Sequence, residues 1–154
     1  MSIRKRNFNN KGFFGIGIER GKTEFNYWSL FRTAQVFNAD MLFVIGEQYK
    51  RHPADTMNSF NDIPTFNYEN FEDFNSHRPY DCRLVGVEMC EKSIPIKEYQ
   101  HHKKAIYILG AEDNGLSSQA QKACSDIIQL PGEFSLNVAV AGSIVLFDRL
   151  NKTQ

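Results

Sequence analysis

At 154 residues, 42% hydrophobic and 23% charged, the chain is long enough to bury a core without disulfides or metal and too apolar to remain disordered. Its formal net charge is zero, so it lacks the global positive field of many nucleic-acid binders and has only local charge with which to meet phosphate. The basic start Met1-Ser2-Ile3-Arg4-Lys5-Arg6 leads into no apolar signal region, and no later run reaches the ~18 apolar residues of a membrane span; one cytoplasmic domain over residues 1–154, with no membrane contact, is expected.

The run Phe13-Phe14-Gly15-Ile16-Gly17-Ile18, followed by polar residues from Glu19 to Glu24, predicts a buried first strand and a loop. Asn26 is a competent N-cap, and Leu30, Phe31, Ala34 and Phe37 recur after it on one helical face. Asn38-Ala39-Asp40 stops that helix before a second strand, Met41 to Ile45. From Gly46 to Tyr80 the chain is rich in Asn, Asp, Phe and Pro with weak periodicity, and predicts short helices and loops around a strand near Ile63 to Phe66. Further apolar strands are predicted at Leu84 to Val87 and at Ala105 to Leu109, the latter ending on Gly110. Ser117 to Cys124 predicts a short helix, Asp126 to Leu130 a strand stopped by Pro131-Gly132, and Asn137 to Leu150 a strongly apolar final helix. Strands alternating with helices imply an α/β fold: a mainly parallel sheet flanked by helices.

The three cysteines, Cys82, Cys90 and Cys124, are odd in number and lack Cys-x-x-Cys pairing, so reduced structural thiols are expected and a zinc site is not. His101 and His102, beside Lys103 and Lys104, read as a solvated surface turn, because adjacent histidines rarely face one metal. Two basic clusters stand out, Arg4-Lys5-Arg6 with Lys11, and Lys50-Arg51-His52. Each suits either a solvated surface or phosphate contact.

Ligands of parallel α/β sheets sit beyond the carboxyl ends of strands. Three segments fall there: Asn26 to Arg32 after the first strand, Gly110-Ala111-Glu112-Asp113-Asn114-Gly115, and Leu130-Pro131-Gly132-Glu133-Phe134-Ser135-Leu136-Asn137. In isolation each has a plain structural explanation. Arg32 suits a surface ion pair, Gly110 and Gly115 a turn, and Ser135 or Asn137 a helix cap.

In order and spacing, the segments resemble the three motifs of the SpoU (TrmH-like) methyltransferases of the SPOUT superfamily. The first motif, Asn followed six positions later by Arg, is matched by Asn26 and Arg32. Gly-x-Glu-x-x-Gly is matched by Gly110, Glu112 and Gly115, with Leu116 and Ser117 following. An apolar residue and Pro, then Ser-Leu-Asn-Val-Ala, are matched by Leu130-Pro131 and Ser135-Leu136-Asn137-Val138-Ala139. The resemblance runs from about Phe13 to Leu150. It departs from the family at Trp28, where Gly is usual, and at Gly132, where Met is common.

The resemblance implies a C-terminal deep trefoil knot, a homodimer whose active sites are completed across the interface, and S-adenosyl-L-methionine as cofactor. It implies methyl transfer to an RNA ribose 2′-hydroxyl, with tRNA ranked ahead of rRNA because the extra N-terminal RNA-binding domain of many rRNA-modifying relatives is not seen. Arg32 matches the residue that orients or deprotonates the hydroxyl. Glu112 would fix Arg32 or a neighbouring loop, and Asn26 and Asn137 would position the ribose or the loop of the first motif. Backbone groups near Val87, Gly110, Leu130 and Leu136, with the Ser135 hydroxyl, match the family's cofactor contacts. A non-catalytic RNA-binding knot protein is the alternative. A Rossmann dinucleotide enzyme is disfavoured, since Gly15-x-Gly17 is followed by Arg20 where a third glycine belongs.

Overall fold

Why the chain builds a sheet is clearest at strand β1 (Phe13–Glu19), whose buried side chains Phe14, Ile16 and Ile18 alternate with small Gly15 and Gly17. A computed structural model describes residues 11–46 and 62–153; the clusters at 4–6 and 50–52 lie outside the described residues. Helix α1 (Glu24–Val36) leads to β2 (Met41–Ile45). Then come β3 (Thr65–Tyr68), α2 (Phe71–His77), β4 (Arg83–Val87) and β5 (Ile94–Pro95). A 3-10 turn at Ile96–Glu98 precedes β6 (Lys104–Gly110), α3 (Ser118–Ala123), β7 (Asp126–Gln129) and α4 (Val138–Lys152).

The described residues form a seven-stranded sheet in the order β3-β2-β1-β6-β4-β7-β5, with every strand pair parallel. Its two faces bury separate cores. Phe14, Ile16, Ile18, Tyr107 and Leu109 pack against Leu30 and Phe31 of α1 and Val145 and Leu146 of α4. On the other face Phe43, Ile45, Ile106 and Ile108 meet Phe71 and Phe74 of α2 and Ala120 of α3. Each of the Val, Leu, Ile and Phe side chains among these stabilises the fold by roughly 1.5–3 kcal/mol on burial. Gly142 lets α4 approach α1 closely, because a Cβ there would lie 2.4 Å from the Leu30 side chain.

Four details differ from the sequence reading. Helix α1 starts at Glu24, with Thr23 as its N-cap residue, so Asn26 lies inside the first turn with its side chain buried and engaged elsewhere. The strand near 63–66 forms two residues later, where Thr65 to Tyr68 pair with β2. The short β5 had no recognisable periodicity.

The fourth difference is at His101, whose side chain is fully enclosed rather than solvated, with Nδ1 2.6 Å from the Tyr107 hydroxyl and Nε2 2.8 Å from Asp148 Oδ2. His102 stays partly exposed and bonds Asp126. Beside them Arg149, fully buried, donates to the carbonyls of Lys11, His102 and Lys103 and to the Tyr107 hydroxyl. Burial without partners would be prohibitive for this guanidinium, and the carbonyls it caps are what make it tolerable. The three cysteines are free, and burial pushes the Cys124 thiol up to about 12, which keeps it protonated and inert. Among the described residues no helix is long and apolar enough to cross a membrane.

Candidate active site

The strands at the centre of the sheet end level with one another. Glu19 is in register with Gly110, and Val87 with Leu109 and Ile128, so the loops after β1, β4, β6 and β7 gather at one edge. Between the last three lies a cavity of about 410 Å³, within the roughly 300–1,000 Å³ of small-molecule sites. Val87, Gly110, Leu130, Ser135 and Leu136, the five residues matched to cofactor contacts, all line it, and so does Glu112. Its floor is apolar, formed by buried Leu109, Leu130 and Val138, while Phe134 is 83% exposed at the rim. An apolar floor beneath exposed backbone loops suits a flat heterocycle carrying polar edges.

The loop after β6 folds tightly back on its own strand. Ala111 and Gly115 form an antiparallel bridge, Gly115 adopts φ +61°, and a Cβ on Gly110 would sit 2.1 Å from the Gly115 carbonyl carbon. The two glycines do serve a turn, and that turn is a cavity wall. Two carboxylates fix its far side. Glu19, 2% exposed at the end of β1, accepts from Ser117 N (2.9 Å) and Ser117 Oγ (2.6 Å). Glu88, beyond β4, accepts from Leu116 N (2.9 Å) and from Met89 N (2.9 Å). Sequence reasoning had placed Glu19 in a polar loop and passed over Glu88; an acid directly after an apolar strand was the available signal. Lys22 pairs with Asp113 and holds its carboxyl below the usual range, and Arg20 donates to the Gly115 carbonyl.

Beside the cavity the three motifs meet through side chains. Asn26 Nδ2 donates to Glu112 Oε1 at 3.1 Å, and Asn137 Nδ2 donates both to Glu112 Oε1 at 2.8 Å and to Asn26 Oδ1 at 3.0 Å. The Asn137 oxygen accepts from Ala139 N and Val140 N and so caps α4. Cap and motif residue are therefore the same group in two roles. Glu112 meets Asn26 and Asn137, and among the described residues no bond joins it to Arg32. Arg32 stands apart on the exposed side of α1, outside the cavity lining, with its guanidinium 5.7 Å from the Trp28 ring centroid.

The same architecture recurs in solved structures. An AdoMet-bound rRNA methyltransferase from Sinorhizobium meliloti superposes with a TM-score of 0.80 at 24% identity, over 90% of this chain and 56% of that one. The A. aeolicus TrmH/SpoU tRNA modifying enzyme superposes with a TM-score of 0.81 at 20% identity, over 93% of this chain and 77% of that one. These likenesses define the class, an α/β protein with the SPOUT fold. In sequence, the 23S rRNA (guanosine-2′-O-)-methyltransferase RlmB of Acinetobacter baylyi is 35% identical over 69 residues, 43% of this chain and 28% of that protein. The model of the SpoU rRNA Methylase family matches residues 15–147, and the chain belongs to that family. It spans just over half of the Sinorhizobium structure and under a third of the Acinetobacter relative.

Proposed function

We propose that this chain is an RNA methyltransferase that binds S-adenosyl-L-methionine in the 410 Å³ cavity and methylates a ribose 2′-hydroxyl. The observation that carries the reading is convergence: residues of the second and third motifs line one cavity, and the first motif joins them beside it through the network Asn26–Glu112–Asn137. Membership of the SpoU family and the likeness to a guanosine-2′-O-methyltransferase support the chemistry.

The cofactor, when bound, supplies a methyl group made electrophilic by its sulfonium. The chain must then hold the hydroxyl in line and ease loss of its proton. Backbone groups at Val87, Gly110, Leu130 and Leu136 and the Ser135 hydroxyl hold the cofactor, and Asn26, Glu112 and Asn137 keep the adjoining loops in register. Arg32 orients the ribose and its phosphate. A guanidinium with pKa above ~12 is a poor base alone, so its part is to orient the hydroxyl against the RNA phosphate, and the proton released on transfer passes to solvent.

The active unit is a homodimer. Phe25, Val140, Ile144 and Phe147 are exposed apolar groups lining one groove between α1 and α4, and a second copy would cover them and bring Arg32 to a completed site. The C-terminal trefoil knot of the family belongs to the same proposal, supported by the match in fold. We place tRNA ahead of rRNA as substrate, and the likeness in fold to the A. aeolicus tRNA modifying enzyme over 93% of this chain is compatible with that order.

Calorimetry should detect S-adenosylmethionine or S-adenosylhomocysteine binding, and ribose-methylation mapping with and without the gene should reveal a lost 2′-O-methyl. Arg32→Ala should keep fold and cofactor affinity while transfer falls on the order of 10²-fold or more, and Arg32→Lys, lacking the planar fork, should rescue little. RNA binding by a folded protein that takes no cofactor would turn the reading to the non-catalytic alternative. A stable monomer at micromolar concentration in sedimentation would refute the dimer.

A further inference from the structure

Trp28, the chain's single tryptophan, lies one turn before Arg32 on α1. Among the described residues its ring meets the Arg32 guanidinium at 5.7 Å and the Phe25 ring at 5.5 Å, tilted by 47°. Positions 25, 28 and 32 follow the i, i+3, i+7 spacing of one helix side. Among the described residues Arg32 makes no hydrogen bond or ion pair. The carboxylate nearest in motif terms, Glu112, is already engaged by Asn26 and Asn137.

A long exposed side chain without an anchor samples many rotamers, and a carboxylate anchor would occupy the N–H groups that substrate needs. An aromatic face restrains the cation without using any of them, because stacking leaves the in-plane donors pointing outward. We infer that Trp28 is a positioning residue for Arg32, its ring holding the guanidinium so that all five N–H donors stay available to RNA phosphate and ribose. The inference rests on the proposed role of Arg32 in transfer, and it assigns a role to the position where this chain departs from its family.

The test measures transfer of labelled methyl from S-adenosylmethionine to bulk small RNA from cells lacking the gene, with Trp28→Leu, Trp28→Phe, Arg32→Ala and the Trp28→Leu/Arg32→Ala double variant. Trp28→Leu should lower kcat about two- to fivefold, the worth of an exposed cation–π contact, with cofactor affinity unchanged. Trp28→Phe should recover part of the loss, and Trp28→Leu should add nothing to Arg32→Ala. Indole emission gives an independent reading: it should shift in Arg32→Ala, and added RNA should shift it in the parent protein but not in that variant. A normal rate in Trp28→Leu, or emission indifferent to Arg32→Ala, overturns the inference. A raised KM for RNA at unchanged kcat, additive to Arg32→Ala, would show instead that Trp28 stacks directly on a base. Should Trp28→Leu fail to fold, Trp28→Phe and the emission measurements still decide. Near-normal transfer by Arg32→Ala would instead remove the reading of Arg32 itself, which the emission shift does not depend on.

Discussion

Asn137 joins a helix cap to the site, and two substitutions separate these roles. Asn137→Ala removes the acceptor for Ala139 N and Val140 N, a cap worth about 1 kcal/mol. It also removes the donations to Glu112 and Asn26. The first runs to a carboxylate, but both residues are exposed, so solvent screening reduces it to about 1 kcal/mol or less. The second leaves the oxygen of Asn26, a residue only 7% exposed, without that partner, at a cost of about 1 kcal/mol. The sum is roughly 2–3 kcal/mol, which for a chain of this size lowers Tm by about 4–12 °C. Asn137→Asp behaves differently. It keeps the cap acceptor and adds a negative charge at the helix N-terminus, favourable by about 0.3–1 kcal/mol, yet it sets a carboxylate against Glu112 where an amide had donated. Urea and thermal unfolding should place Asp closer to the parent than Ala, while methyl transfer falls in both. Parent-like transfer by Asn137→Asp would show that the Asn26–Glu112–Asn137 network is dispensable, and parent-like stability of Asn137→Ala would refute the cap.

Gly110→Ala should abolish cofactor binding in calorimetry, because its Cβ would meet backbone of Gly115 and Leu116 at 2.1–2.4 Å and force open the turn that walls the cavity; normal affinity would place the cofactor elsewhere. His101 gives stability a pH dependence. Tyr107 accepts from Arg149, so its phenol proton faces His101 Nδ1, leaving Nε2–H for Asp148, and the imidazole fits as the neutral form. Burial, chiefly, lowers its pKa from 6.5, and Arg149 and Lys152 lower it further against the opposing pull of Asp148; Tyr99 packs edge-on. The unfolded chain then takes up the proton first, so this contribution is full above about pH 6.5 and is lost as pH falls from there toward the folded-state value. Denaturation at pH 5 to 8 should show that slope flattened in His101→Gln, and equal slopes would refute the assignment.

Much of this fold was legible because its signals are local. Leu30, Phe31 and Ala34 mark a helix face, and Ala105 to Leu109, short, rich in Ile and Tyr and closed by Gly110, marks a buried strand. Spacing singled out the motifs: Val87, Gly110, Glu112, Leu130, Ser135 and Leu136 line one cavity, Asn26 and Asn137 meet Glu112 beside it, and Arg32 stands apart. What escaped depends on distant partners. Asn26 looked like a cap because nothing nearby reveals Glu112, 86 positions on. His101 looked solvated because Asp148, which encloses it, comes 47 residues later. Glu19 read as loop because its partner Ser117 is 98 residues away.

The strand order bears on how the chain is made. β1, β2 and β3 can pair as soon as residue 68 has emerged, but β6 alone joins them to β4, and β7 and β5 attach through β4. Until Lys104–Gly110 is synthesised, β4 has no partner and the inner edge of β1 stays open. Unpaired parallel edges are slow to close and prone to stray association. A nascent chain on the ribosome therefore passes some thirty-five residues with half a sheet exposed, and the cavity walls are the last part to assemble, which makes the stretch before β6 the interval when a chaperone is most useful to it.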